Sequence, residues 1–161
     1  MAVSSTKMAL VSDALPLQRF LTYRLSHLNS KLNRQAVATL KKTGSLKLPE
    51  WRVISLLATY GELNGRWIGG STGADPGLLS RTFRSLTLRS LIASRRDEDD
   101  RREVHFALTR KGQQLYEKTI PHMQARQRSL IDALDAREQA MIFKIIDKLD
   151  AAADARDFLM S

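Results

Sequence analysis

From Pro16 onward the apolar residues Leu17, Phe20, Leu21, Leu25, Leu28 and Leu32 recur at intervals that place them on one face of a helix. The spacing predicts a first long helix that fades in the basic, glycine-broken stretch KKTGSLK. Pro49 suits a helix's first turn, where its missing N–H leaves nothing unpaired, so EWRVISLLATYG reads as a second helix stopped at Gly61. The piece GRWIGGSTGADPG resists assignment, because each glycine weakens a helix by about 1 kcal/mol relative to Ala; a short irregular helix is expected there. From Gly77, Leu79, Phe83 and Leu86 fall on one side of a third clear helix, which Leu91 and Ile92 close. VHFAL alternates as a strand, Thr109 suits the N-cap of a helix beginning at RKG, and Leu115, Ile120, Met123 and Leu130 continue that helix. Asp135 caps a last helix, in which Met141, Ile142, Ile145, Ile146 and Leu149 make one stripe. There is no internal repeat and no low-complexity tract.

Three helices followed by a two-stranded ribbon make a winged helix-turn-helix. The predicted fold is mostly α with a small antiparallel β-hairpin wing, flanked by N- and C-terminal dimerisation helices. Ile92 to Arg96 runs out as one wing strand and Glu103 to Leu108 returns as the other, leaving DEDDRR at the turn. The expected organisation is an N-terminal arm and dimerisation helix over 1–45, a DNA-binding domain over 46–112 and C-terminal dimerisation helices over 113–161. Neither the first helix nor the final stripe has enough winged domain to cover it, so a partner surface is expected at Leu17, Leu21, Met141, Ile142, Ile145, Ile146 and Leu149. The alternative packs both helices within one monomer.

Composition narrows the function. At 161 residues, 43% hydrophobic and 27% charged, the chain can bury one core but not two large domains. Its net charge of +9 favours a polyanionic partner, because clustered Lys and Arg gain by releasing counterions from phosphates. With no cysteine there is no disulfide framework, thiolate metal site or thiol redox switch, which fits a cytoplasmic protein. No apolar run approaches the roughly 20 residues that span a bilayer, so no membrane partner is expected, and the first dozen residues read as a loose or partner-draped arm.

Enzymatic readings find little support. His27, His105 and His122 lie on three separate elements without H-E-x-x-H spacing, and His27 sits beside the apolar stripe in a core or interface position. Asp99 and Asp100 are adjacent carboxylates, but an exposed hairpin tip lacks the dry cleft that tunes an acid and a base. GGSTG is glycine-rich like a phosphate nest, yet it lacks the Lys-Ser/Thr of a nucleotide loop and follows no strand. No catalytic residue, metal ligand or cofactor is assigned.

DNA contacts follow from helical geometry. With Leu79, Phe83 and Leu86 facing the core, a step of about 100° per residue puts Gly77, Arg81, Arg84 and Leu88 opposite, with Ser80 on the flank. Arg81 and Arg84 are the groove candidates, able to pair two donors with a guanine or to contact phosphates alone. The wing supplies Arg95, Arg96, Arg101 and Arg102. An Asp beside such an Arg holds its long side chain and lowers the rotamer entropy lost on binding, which gives the acids of the tip a purpose.

These motifs together resemble the MarR family of transcription regulators over roughly the whole chain, most strongly between Leu48 and Gly112. LPEWRVISLLA is similar to the family's second helix, DPGLLSRTFRSLTLRSLI to its recognition helix and first wing strand, and DEDDRREVHFALTRKG to its wing signature. Two departures stand out: WIGGSTGAD replaces an Ala- and Leu-rich helix before the turn, and Ser90 stands where a Gly commonly ends the recognition helix. The resemblance implies an obligate homodimer on a palindromic double-stranded DNA operator, with Arg81 matching an arginine common in the family. It also implies a wing arginine in the minor groove, for which Arg101 is the probe and Asp100 its organiser. Small aromatic or phenolic effectors are bound in the family, and Tyr23, His27, Trp51 and Trp67 are the candidate pocket residues here. The expected function is a ligand-responsive repressor; the competing reading is a winged-helix protein–protein interaction module without specific DNA binding.

Overall fold

The computed structural model describes residues 16–97 and 103–154. The chain divides into two compact units, Met1–Tyr116 and Glu117–Ser161. In the first, a single helical turn, Leu17–Arg19, precedes α1 (Leu21–Thr43), followed by α2 (Leu48–Tyr60), β1 (Leu63–Asn64), α3 (Gly65–Thr72), α4 (Pro76–Leu88), β2 (Ile92–Arg96) and β3 (Val104–Leu108). Helix α5 (Arg110–Ile131) runs on into the second unit, which ends with α6 (Ala136–Asp154). The element order matches the expectation except for β1, which is too short for alternation to reveal. It exists by pairing with β3, and the sheet is antiparallel in the order β1–β3–β2. The wing register runs from Ile92 opposite Leu108 to Arg96 opposite Val104.

The helix ends have local causes. The glycine-rich segment is helical because Asn64 caps it, accepting from the Trp67 amide at 2.7 Å, and because Gly73 ends it in the left-handed region at φ 61°. Asp75 caps α4, accepting from the Leu78 amide at 2.9 Å just ahead of Pro76. At its other end the Leu91 amide reaches back to the Leu86 carbonyl and the Ser90 amide to that of Thr87, both at 2.9 Å. This closing pattern requires a left-handed residue, and Ser90 takes it at φ 56°. Thr109 caps α5 by accepting from the Gly112 amide at 3.0 Å. Asp135 and Glu138 form a reciprocal capping box at the start of α6.

The core of the first unit takes Ala36 and Leu40 from α1, Trp51, Val53, Ile54 and Leu57 from α2, Ile68 from α3, Leu86 from α4, then Leu91, Ile92 and Phe106. The C-terminal part of α1 is therefore core. Its N-terminal part is open: Leu21, Leu25 and Leu28 are each about half exposed. Helix α6 has no buried residue, and Met141, Phe143, Ile145 and Ile146 stand 44% to 57% exposed. No helix among the described residues is long and apolar enough to cross a membrane.

Candidate nucleic-acid interface

Helix α4 is amphipathic in the expected phase. Thr82 and Leu86 are buried, Leu79 and Phe83 half-buried, and Gly77, Ser80, Arg81, Arg84 and Leu88 exposed. Thr82 was not an expected core residue; its hydroxyl donates back to the Leu78 carbonyl at 2.8 Å, which satisfies it without water. Phe83 stacks on Phe106 of β3 with ring centroids 3.9 Å apart, so the wing strand braces α4 directly. Among the described residues no acid pairs with Arg81, Arg84 or Arg96.

A cluster of charged side chains sits at the root of the wing. Arg95 donates to Glu62, in the loop after α2. That hydrogen bond, followed by the charges of Arg95 and His105, holds the Glu62 carboxyl below the usual carboxylate range, with desolvation opposing. His105 lies between Glu62 (Nδ1 to Oε1, 3.6 Å) and Asp97 (Nε2 to Oδ2, 3.2 Å), on the other face of β3 from buried Phe106. Asn64 donates to Glu103 at 3.3 Å, and exposed Arg66 lies 3.8 Å from the same carboxylate. Arg95 is thus tied to the scaffold, whereas Arg96 is exposed at the outer end of β2. Asp100, Arg101 and Arg102 lie outside the described residues.

The four aromatic candidates for a ligand pocket do not meet in one cavity. Tyr23 and His27, one turn apart, are parallel with centroids 6.3 Å apart and line an open trough on α1 with Leu21, Leu25 and Leu28. Trp51 is buried and stacks on Tyr116 at 5.7 Å, while exposed Trp67 meets Tyr60 edge-on at 5.3 Å. Aromatic size and nearness to a helix junction marked these residues, and neither property brings side chains together.

Sequence reasoning missed the acids Glu50 and Glu62. Glu50 is 2% exposed and accepts from the Lys47 amide, the Ser85 hydroxyl and Arg89. Its only local signal is its place three residues into a helix, where a Glu commonly closes the cap.

The sequence model of the MarR family matches residues 46–104, from just before α2 to the return strand of the wing. Among solved structures, the chain is similar to a MarR/EmrR family transcriptional regulator from Acinetobacter sp. ADP1. The two share 25% identity over 87% of this chain and 99% of that one, with a TM-score of 0.80. It is similar also to S. aureus MepR in complex with DNA (17% identity, 84% and 99% covered, TM-score 0.78). A third likeness is to the PcaV transcriptional regulator from Streptomyces coelicolor in complex with its natural ligand (22% identity, 88% and 99% covered, TM-score 0.72). The sequence matches no curated protein.

Proposed function

We propose that the chain is a DNA-binding transcription regulator of the MarR family, whose sequence model it matches over residues 46–104, and that it is a homodimeric, sequence-specific repressor released from its operator by a small-molecule ligand. The observation that carries this reading is the exposed face of α4, where Gly77, Ser80, Arg81 and Arg84 stand without an acidic partner among the described residues while the opposite face is fixed in the core. Gly77 and Ser80 admit close approach of a DNA backbone, and Arg81 and Arg84 carry the donors that a guanine edge accepts. Arg96 with Arg101 and Arg102 forms the wing contact, Asp100 organises it, and Arg95 holds the wing root through Glu62.

Dimerisation is assigned to the two open apolar faces, Leu17 and Leu21 ahead of and in α1 and Met141, Ile142, Ile145, Ile146 and Leu149 in α6. Side chains left this exposed on two helices favour a second copy as the cover. The organisation read from the sequence, 1–45, 46–112 and 113–161, is kept with one refinement: α1 belongs to the winged core from Ala36 onward. Solution in complex with its natural ligand, as for PcaV, motivates an effector here. A small aromatic molecule at Tyr23 and His27, in a trough that a second protomer closes, is the form we favour. The protein acts in the cytoplasm in this reading.

Titration of a labelled palindromic duplex, enriched from genomic fragments by the purified protein, tests the proposal. The expected result is a logarithmic affinity that falls linearly with the logarithm of salt concentration, with protection of two half-sites. Binding that ignores salt, or no protected sequence, would leave a winged-helix module that docks another protein.

A further inference from the structure

Glu50 is the one charged residue in the buried class among the described residues. Its carboxylate accepts three hydrogen bonds: from the Lys47 amide at 2.8 Å, from the Ser85 hydroxyl at 2.6 Å and from Nη1 of Arg89 at 3.0 Å. The first closes the start of α2. Closing a helix start needs no burial, and an exposed Glu serves, as Glu138 does at the start of α6. The other two bonds come from the recognition helix, at positions one turn apart. Ser85 of α4 and Arg89, its C-cap, lie on the flank between buried Thr82 and Leu86 and the exposed face of Arg81 and Arg84. Two anchors one turn apart, held by one rigid carboxylate, resist both rotation of the helix about its axis and sliding along it. The same end of the helix is held a second time, because Lys111 of α5 donates to the Arg89 carbonyl at 2.9 Å.

Rotation is the motion that matters at the DNA. A helix with its side chains has a radius of about 5 to 6 Å, so a turn of about 20° carries a surface guanidinium roughly 2 Å sideways. Paired hydrogen bonds to a base edge do not survive that displacement, since a functional group must be held to within about 0.5 Å. Attraction to phosphates falls off gently with distance and tolerates it. Resting on the assignment of α4 as the DNA-reading helix, we infer that Glu50 is a specificity-determining positioning residue. It touches no DNA and acts through Ser85 and Arg89 to set the angle at which Arg81 and Arg84 meet the bases.

The test uses the full chain and two duplexes, one enriched from a randomised pool by the wild-type protein and one of scrambled sequence. Glu50→Gln keeps the shape of the side chain but removes the charge that holds Arg89. Affinity for the enriched duplex falls by about tenfold, equivalent to about 1.4 kcal/mol, while affinity for the scrambled duplex changes by less than about twofold. Arg89→Gln gives the same loss, and the double variant loses little more, since both changes disable one contact. Equal weakening on both duplexes, or none on either, overturns the inference. Amide hydrogen exchange of the free protein reads the contact without DNA: Glu50→Gln raises exchange in α4 and leaves the buried part of α1 unchanged. Unchanged exchange in α4 overturns the clamp itself. Failure of the wild type to prefer any duplex would instead overturn the proposed function, and the exchange result tells the two failures apart.

Discussion

The backbone carbonyl of Leu91, at the entry to the wing, occupies the place where a Cβ on Gly112 of α5 would stand. The same carbonyl accepts from the Thr109 amide at 3.1 Å, and the Thr109 hydroxyl donates to the Ser90 carbonyl at 2.7 Å. The end of α4 and the start of α5 are therefore seated backbone against backbone, and the two atoms nearest that Cβ are backbone atoms of Leu91 that cannot swing aside as a side chain would. Gly112→Ala is expected to destabilise the protein by about 1 to 3 kcal/mol or more. A urea titration that shows no shift of the unfolding midpoint would remove this contact from the account.

Ser90 takes a left-handed conformation at φ 56°, at a position that closes α4 by donating its amide hydrogen bond to the Thr87 carbonyl. Ser90→Gly relieves a strain of about 1 kcal/mol and is expected to raise the melting temperature by several degrees without altering affinity for DNA. A lower melting temperature would mean that the serine is held by something other than its backbone.

Within α3 the two adjacent glycines differ. A Cβ at Gly70 meets nothing within 4 Å, whereas one at Gly69 stands 3.2 Å from Cδ2 of Leu79. Gly70→Ala should stabilise the chain by about 0.5 to 1 kcal/mol through the lower entropy of the unfolded state. Gly69→Ala should give less than that, because Leu79 must move. Identical thermal shifts for the two variants would contradict this difference.

Ile145 and Ile146 of α6 are 44% and 49% exposed, on a helix with no buried residue. Converting both to Asp places unpaired charge in the proposed interface, at a cost of several kcal/mol per ion if it stays buried. Light scattering is expected to report a monomer for the double variant and a dimer for the wild type. An intact dimer would move the interface elsewhere.

Much of this architecture was legible because it repeats. The helical period of Leu79, Phe83 and Leu86 placed Arg81 and Arg84 on the opposite face, where they are found exposed. Thr109 and Asp135 were recognisable as caps because capping is a local bond between near neighbours. The missed features are those made at a distance. Glu50 meets Ser85 and Arg89 across 35 and 39 residues of sequence, and Glu62 meets Arg95 across 33, so no local pattern announces them. Strand β1 has two residues and no pattern of its own; Leu63 and Asn64 pair because β3 passes beside them. The glycines of α3 argued for irregularity by propensity, and the cap at Asn64 together with the left-handed stop at Gly73 overrides it.

The central claim is that the exposed arginines of α4 read base sequence, and the most direct measurement is the affinity of Arg84→Ala for the enriched operator and for its single-base-pair variants at fixed salt. The account predicts a loss of about 1 to 3 kcal/mol on the best site and a relaxed preference at one base pair, with little change on scrambled DNA. Equal weakening on every duplex, with preference intact at all positions, would contradict it and assign Arg84 to the phosphate backbone.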